Sequence, residues 1–313
     1  MLLKSKLNRY PIGLTWENGM LLVADILKDK EGLICETLKF SVPDLFNAEG
    51  YLKDKRQLSD FLKKIKNERG WKGRKTVIAF PSKQVLVRFF RLPNMPLREL
   101  RQAVEWEAKQ KYNLDKDEYS LDFSILLQSA DNNSKEIILA AAVKENVMDL
   151  YHTFLAAEIP LKAIDVASFA FVRSLAKGLS DKDSLENKND LALFLDLNVD
   201  FTQIIFYLRE QVIFARAINQ NYFNSSLTVT KLVNEIQLTV NYLKTIVQDI
   251  TLKEIVVGGV GTNWGDLFLL QDELGIAVKK GTPGLGYIEE PYPDPLFTTA
   301  LGLALRGVAS DVH

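Results

Sequence analysis

The first hydrophobic and polar runs of the chain predict a β-hairpin. Residues 12–14 and 20–27 are apolar, and the polar segment between them contains Asn18 and Gly19. Asn-Gly between two apolar runs is the strongest short-range hairpin signal. Residues 76–80 are then wholly apolar and stop at a proline. This predicts a strand in the middle of a sheet whose two faces are both covered.

The next apolar runs predict helices around a small inserted α+β subdomain. Apolar residues recur at helical spacing at Leu58, Phe61, Leu62 and Ile65. Residues 82–156 contain the inserted subdomain, in the order strand, helix, strand, strand. Its elements are predicted at 85–91, 97–112, 121–127 and 136–143. A helix at 145–158, a strand at 162–166 and a helix at 167–177 complete the first lobe.

The second half of the chain repeats the opening pattern. A charged stretch at 178–190 has little to bury and indicates a domain boundary. Strands are predicted after it at 191–195, 201–207, 211–218, 254–257 and 276–279. Helices are predicted at about 227–247, at 264–274 and at 296–305, with a glycine-rich loop at 258–261. The sequence therefore predicts an α/β protein of two matching lobes, residues 1–178 and 191–313.

The charge balance and the apolar runs exclude several classes of protein. The 313 residues carry 39 Lys and Arg against 40 Asp and Glu, a net charge of -1. No bulk attraction to nucleic acid or to anionic lipid follows from that balance. The longest aliphatic run, 137–143, is far shorter than the ~20 residues of a membrane-spanning helix. We expect no direct membrane insertion, no nucleic-acid partner and a cytoplasmic location, because the charged amino terminus does not resemble a secretory signal.

The residues that usually carry catalysis or metal binding are scarce. Cys35 is the one cysteine, and His152 and His313 are the two histidines. A His-rich metal site is therefore excluded, and we interpret Cys35 as a small buried side chain. Common nucleophile, phosphate-loop and dinucleotide motifs are also absent from the sequence. We expect no catalytic residues of these types.

The duplicated plan, with its late glycine loop, resembles the actin, Hsp70 and hexokinase superfamily, whose lobes are ribonuclease H-like. Within that superfamily the chain resembles the type IV pilus assembly protein PilM family. The resemblance rests on blocks in the same order along nearly the whole chain, at 80–82, 91–93, 105–108, 121–123, 140–142, 164–170, 255–259, 274–276 and 300–306. It implies an actin-like fold with four subdomains like those of FtsA, one of them at 82–156.

The same resemblance implies partners and cofactors. Proteins of this kind bind ATP with Mg²⁺, and they hold a short cytoplasmic peptide at the amino terminus of PilN, an inner-membrane protein. The chain would then lie at the inner face of the cell membrane, held there through its protein partner. The resemblance also allows self-association.

The first hairpin departs from the family's phosphate loop. The family pattern Gly-Ile-Asp-Ile-Gly aligns with residues 13–17, so that Thr15 replaces the metal-directed aspartate and Glu17 replaces a glycine. Leu22 stands where the family has a lysine. A glutamate ~4 Å from a polyphosphate would repel it by several kcal/mol in a partly screened site. We therefore predict that this loop no longer binds phosphate.

The second hairpin and its surroundings keep more of the family's site. The residues that match are Asp196 (metal), Thr202, Glu235 (nucleoside), Gly258 and Gly259 (adenosine loop). Each has a structural alternative. Asp196 can cap a turn, Glu235 can be a solvated charge on a helix, and the two glycines can permit close strand-to-helix packing. The prediction is a degenerate site for ATP and Mg²⁺.

Two classes of function remain after this comparison. The leading hypothesis is a scaffold that binds a PilN-like peptide along a strand edge, with Val85, Val87 and Phe89 as candidate contacts. The alternatives are a working ATPase, a filament-forming relative of FtsA, and the equivalent platform component of a type II secretion system. The ATPase requires phosphate ligands that Thr15 and Glu17 do not supply.

Overall fold

The structure is a computed structural model, and two packed units make up the chain. It describes residues 9–17, 19–28, 32–42, 44–47, 50–126, 133–179, 187–198, 201–218, 226–247, 249–263 and 267–308. Unit 1 comprises the described parts of 1–84, 146–178 and 281–313. Unit 2 comprises those of 85–145 and 179–280.

Strands and helices follow the predicted order closely. The strands are β1 Arg9–Glu17, β2 Met20–Lys28, β3 Leu33–Ser41, β4 Thr76–Phe80, β5 Val85–Pro93, β6 Tyr119–Ile125, β7 Ser134–Val143, β8 Leu161–Val166, β9 Asp190–Leu197, β10 Thr202–Leu208, β11 Gln211–Ile218, β12 Thr251–Gly258 and β13 Ala277–Lys280. The helices are α1 Lys55–Arg69, α2 Leu97–Tyr112, α3 Lys144–Ala156, α4 Ala167–Leu175, α5 Ser226–Ile246, α6 Leu267–Leu274 and α7 Thr298–Val308. Predicted bounds at 127, 199–200 and 264–266 lie outside the described residues.

The two large sheets have the same topology, which confirms the predicted duplication. Sheet 1 has the order β3-β2-β1-β4-β8, and sheet 2 has the order β11-β10-β9-β12-β13. In each sheet the first three strands are antiparallel and the last three are parallel. Strands β4 and β9 are buried along their length, as expected for strands covered on both faces, although β9 also carries Asp190 and Asp196.

Local signals explain where the first helix begins and ends. Asp54 precedes α1, and its side chain accepts a hydrogen bond from the backbone N–H of Gln57. Gly70 follows the helix in the left-handed conformation. The predicted stripe on α1 packs inward at Leu58 and Leu62. Sequence and structure therefore agree at both ends of this helix.

The inserted elements form a third sheet of order β5-β7-β6, with α2 packed on one face. Its other face meets the β10–β11 turn. The Arg209 guanidinium from that turn is paired with the buried carboxylate of Glu136 on β7, and Arg91 on β5 donates to the same carboxylate at 2.8 Å. The subdomain therefore packs with sheet 2 in unit 2, whereas the sequence assigned it to the first lobe.

The last helix packs in unit 1, although the sequence predicted it as part of the second lobe. Residues 191–313 were expected to form one lobe, yet α7 packs on β1, β2 and β4 of sheet 1. Gly13 on β1 makes this approach close, because a Cβ atom there would lie 2.0 Å from the Ala300 carbonyl oxygen. The carboxyl-terminal segment therefore completes the core of unit 1.

Candidate functional site

The end of β9 brings four of the five predicted site residues together. Asp196 lies opposite Gly258 across the parallel pair of β9 and β12. Thr202 begins β10 and lies opposite Leu197, the residue after Asp196. Gly259 follows Gly258 and opens a short 3₁₀ turn over residues 259–263. The carboxyl end of a parallel strand is where α/β sheets usually bind ligands.

Asp196 is a buried carboxyl group with one polar partner that sequence analysis missed. Gln203 lies directly opposite on β10, and its side-chain amide donates to Asp196 Oδ2 at 3.0 Å. Burial raises the pKa of Asp196 to about 7, and the hydrogen bond from Gln203 opposes that rise. Asp196 is therefore near its titration point at neutral pH. The predicted strands, 191–195 and 201–207, left Asp196 in the turn between them, so they did not point to Gln203 as its partner.

The glycine loop after β12 has a packing role of its own. A Cβ atom on Gly261 would lie 2.2 Å from the Leu197 Cβ atom. The loop therefore needs a glycine there to lie against the end of β9. This contact supports the packing interpretation for Gly261, and Gly258 and Gly259 stand in the same loop. The contact between Gly261 and Leu197 also places the loop beside Asp196, the residue before Leu197.

Glu235 is not part of this group. It lies on α5, and its carboxylate forms an ion pair with the Arg216 guanidinium on β11. Strand β10 separates β11 from β9 in sheet 2. The carboxylate is half-buried, so its ion pair is partly screened by solvent. The structure therefore gives Glu235 an ion-pair partner on β11, and its contact with a nucleoside stays a prediction.

The first hairpin has the same register but different chemistry. Glu17 and Met20 close its turn, as Asn198 and Phe201 close the turn in the second hairpin. Counting back two residues makes Thr15 the equivalent of Asp196. Across the hairpin, Thr15 faces Leu22, just as Asp196 faces Gln203. The polar pair of sheet 2 is thus replaced by a threonine and a leucine.

An aromatic cluster occupies the neighbourhood of the first hairpin. The Trp16 ring lies 5.6 Å from the Phe46 ring and 6.1 Å from the Phe154 ring, edge-on to the latter. Such aromatic pairs stabilise a core beyond their buried area. The Trp16 indole Nε1 is buried without a hydrogen-bond partner. The Trp16 side chain as a whole is half-buried, and it packs on the core of unit 1 through Phe154.

The residues present do not fit a magnesium triphosphate at the first hairpin. Thr15 is buried, Trp16 packs in the core, and Leu22 supplies no cation. Among the residues that the structure describes, no group of three or more His, Cys, Asp or Glu side chains could hold a metal ion. Asp196 supplies one carboxylate, and Mg²⁺ is usually held by one or two carboxylates together with waters and substrate phosphates, so its metal role stays a prediction.

The candidate peptide contacts lie on the edge strand β5. Val87 and Phe89 are buried, and Val85 is half-buried. Their side chains share the face of the third sheet that carries Arg91 and Glu136, where the β10–β11 turn packs. A peptide at this edge would therefore meet the backbone of β5 more readily than the side chains of Val87 and Phe89.

A family comparison identifies the chain. The model of the type IV pilus assembly protein PilM family matches residues 21–228, which is more than half of the sequence. The chain belongs to the PilM family. A comparison with curated proteins finds no match. The family assignment predicted from the sequence blocks is therefore confirmed.

A comparison with solved structures finds chains of similar fold. A chain of a PilM-PilN type IV pilus biogenesis complex is 22% identical with a TM-score of 0.78, over 96% of this chain and 98% of that one. A Bacteroides thetaiotaomicron protein with an actin-like ATPase fold is 12% identical with a TM-score of 0.48, over 96% and 98%. The ethanolamine utilization protein EutJ from Carboxydothermus hydrogenoformans is 12% identical with a TM-score of 0.46, over 95% and 89%.

None of the described helices of this PilM-family chain has the length and apolar character needed to cross a bilayer.

Proposed function

We propose that this PilM-family chain is a scaffold of the type IV pilus inner-membrane platform. It binds the amino-terminal cytoplasmic peptide of a PilN-like membrane protein and is held at the inner face of the membrane by that partner. The family match over residues 21–228 is the observation that carries the proposal. The fold similarity to a chain from a PilM-PilN complex adds support.

The side chains of the first hairpin favour peptide binding over ATP hydrolysis as the function of the chain. Trp16 is packed between Phe46 and Phe154, and removing it would expose their apolar surface. Phosphate loops need backbone N–H groups that a ligand can reach, and here a half-buried tryptophan packed on two phenylalanine rings stands beside the turn. The proposed scaffold therefore works without turning over ATP.

The edge of β5 is the proposed peptide site. This strand pairs with β7 on one side only, so it is an edge strand of the third sheet. An added peptide strand would gain affinity from backbone hydrogen bonds and specificity from alternate side chains. Val85 is the candidate contact whose side chain is partly accessible.

Isothermal titration with the partner's amino-terminal peptide tests the scaffold. We expect saturable binding of the peptide, no binding of a scrambled peptide of the same composition, and the same affinity with and without Mg-ATP. In a pull-down, truncation of the partner's cytoplasmic tail should abolish the complex. A complex that survives the truncation contradicts the peptide model.

A working ATPase is the second candidate, because Asp196, Thr202 and Gly258 still lie together at the end of β9. Titration of the full chain with Mg-ATP separates the two functions. We expect no heat of binding at micromolar nucleotide. Micromolar affinity would mean that the second hairpin binds nucleotide without help from the first.

A further inference from the structure

Two helices of unit 1 lie side by side and cover one face of sheet 1. The Lys55 ammonium at the start of α1 contacts Asp149 in the middle of α3 at 2.5 Å. Near the other end, Lys66 Nζ lies 2.9 Å from the Glu158 carboxylate and donates to the Ala157 carbonyl at 3.1 Å. Contacts at both ends make α1 and α3 a parallel pair. We call their solvent-facing side the α1–α3 outer face.

Helix α3 contributes an apolar stripe to this face. Met148, Tyr151 and Leu155 are 40%, 43% and 61% exposed. Their spacing of three and four residues puts them on one side of the helix. Phe154, together with Leu150, is buried on the opposite side. The helix therefore has one apolar side for the core and a second one turned to solvent.

Helix α1 and the turn after it contribute positive charge beside the stripe. Residues 63–75 hold seven Lys and Arg side chains against one carboxylate, in a chain whose net charge is -1. Lys64 and Lys72 are exposed, and Lys63 is half-exposed. Lys63 and Lys72 both act electrostatically on Glu158, three residues beyond Leu155. The basic cluster and the end of the apolar stripe are therefore neighbours.

Stabilisation of α1 through its dipole explains only some of these lysine and arginine residues. Cations in the last turn of a helix interact favourably with its dipole, and Lys66 and Arg69 stand there. Lys72 lies beyond the helix end, and Lys64 precedes the last turn. Among the described residues, neither is in an ion pair. The acidic residues on or near the face are Asp60, Glu68, Glu145, Asp149 and Glu158, of which Asp149 is paired with Lys55 and Glu158 with Lys66.

We propose that the α1–α3 outer face rests on an anionic lipid surface. Lysines beside exposed Met, Tyr and Leu side chains are the composition of helices that lie at the boundary of head groups and acyl chains. Each lysine near an anionic bilayer adds to the electrostatic attraction. Nucleic acid would use the lysines but leave the apolar stripe in water. This contact is additional to the proposed peptide binding and does not depend on it.

Vesicle co-sedimentation of the full chain without any partner tests the proposal. We expect binding to vesicles of phosphatidylglycerol and phosphatidylcholine, weak binding to phosphatidylcholine alone, and loss of binding in high salt. The charge variant is Lys63→Gln/Lys64→Gln, and the apolar variant is Met148→Ser/Leu155→Ser. Each should weaken vesicle binding roughly tenfold or more.

Matched controls come from α5 in unit 2. Lys231→Gln/Lys244→Gln removes two exposed lysines, and Leu238→Ser removes a leucine that is 64% exposed. Both controls should bind vesicles as the parent does. Circular dichroism checks that every variant is folded.

Three outcomes would overturn the lipid contact. The first is equal binding to vesicles with and without phosphatidylglycerol. The second is that the α5 control variants lose as much vesicle binding as the charge and apolar variants. The third is that a DNA duplex competes with the vesicles while the apolar variant still binds vesicles as the parent does. Peptide titration of the same variants in solution separates the two proposals. Unchanged peptide affinity in a variant that has lost vesicle binding supports a separate lipid surface, whereas a parallel loss of both overturns it.

Discussion

The two hairpins that open the two sheets have one register and two different chemistries. In sheet 2 the pair facing across the hairpin is Asp196 and Gln203, and in sheet 1 it is Thr15 and Leu22. Both pairs are largely removed from solvent. The topology of the fold therefore does not require a polar pair at this position.

The neighbours of each hairpin explain the difference. In the first, Trp16 is held between two phenylalanine rings, and Gly13 admits α7 against the other face of β1. In the second, Asp196 stays buried beside Gly258, at the cost of desolvating a carboxyl group. One hairpin has become hydrophobic core, while the other retains a polar group that core packing alone would not favour.

The largest expected effect comes from removing the aromatic side chain of the first hairpin. Trp16→Ala should lower the free energy of unfolding by about 3 kcal/mol, because the cavity leaves Phe46 and Phe154 without their partner. Urea unfolding followed by far-ultraviolet circular dichroism measures the change. Trp106→Ala is the control, since that side chain is 63% exposed. Equal effects of the two substitutions would mean that the first hairpin is not part of the core.

The second expected effect depends on pH and is specific to the second hairpin. The folded pKa of Asp196 is about 7, above the value of 3.8 for a free carboxyl. Between these values the unfolded chain has released a proton that the folded chain retains. The contribution of Asp196 to stability is therefore fully present at low pH and is lost as the pH rises through about 7.

Asp196→Asn removes this pH-dependent loss. Relative to the parent, the variant should gain about 2 to 3 kcal/mol more in unfolding free energy at pH 8.5 than at pH 5. Urea titrations of both proteins at the two pH values give the difference. Thr15→Ser in the first hairpin should show no such pH dependence. A pH-independent difference for Asp196→Asn would mean that its carboxyl group titrates normally in the folded chain.

Most of the fold could be predicted because its signals are local. The Asn-Gly turn, the stripe on α1 and the apolar run of β4 each depend on residues within one element. Strand β3 was missed, since its residues alternate between half-buried and exposed and include Glu36 and Lys39. The packing of α7 on sheet 1 was also missed. It depends on Gly13, almost three hundred residues earlier, and no local pattern joins the two.

The candidate site was predicted only in part, for a related reason. Asp196 and Gly258 follow buried strands, so their proximity could be expected from a parallel sheet. The partner of Glu235 could not, because Arg216 comes from a different strand and reaches α5 only after folding. The filling of the first hairpin by Phe46 and Phe154 depends on two segments distant in sequence. Residue identities therefore carried the prediction that the first hairpin no longer binds phosphate, whereas its aromatic contacts are seen only in the folded chain.

The smallest expected effect makes the second hairpin resemble the first. Gln203→Leu places the equivalent of Leu22 opposite Asp196 and removes the amide that donates to its carboxyl group at 3.0 Å. Losing one buried hydrogen bond should cost about 1 kcal/mol at pH 5, where the carboxyl is protonated, and more at pH 8.5. The pKa of Asp196 should rise further, because this hydrogen bond holds it down. In an Asp196→Asn background the extra pH dependence of Gln203→Leu should vanish. If it persists there, the two side chains are not coupled, and the second hairpin has no polar pair to set against the first.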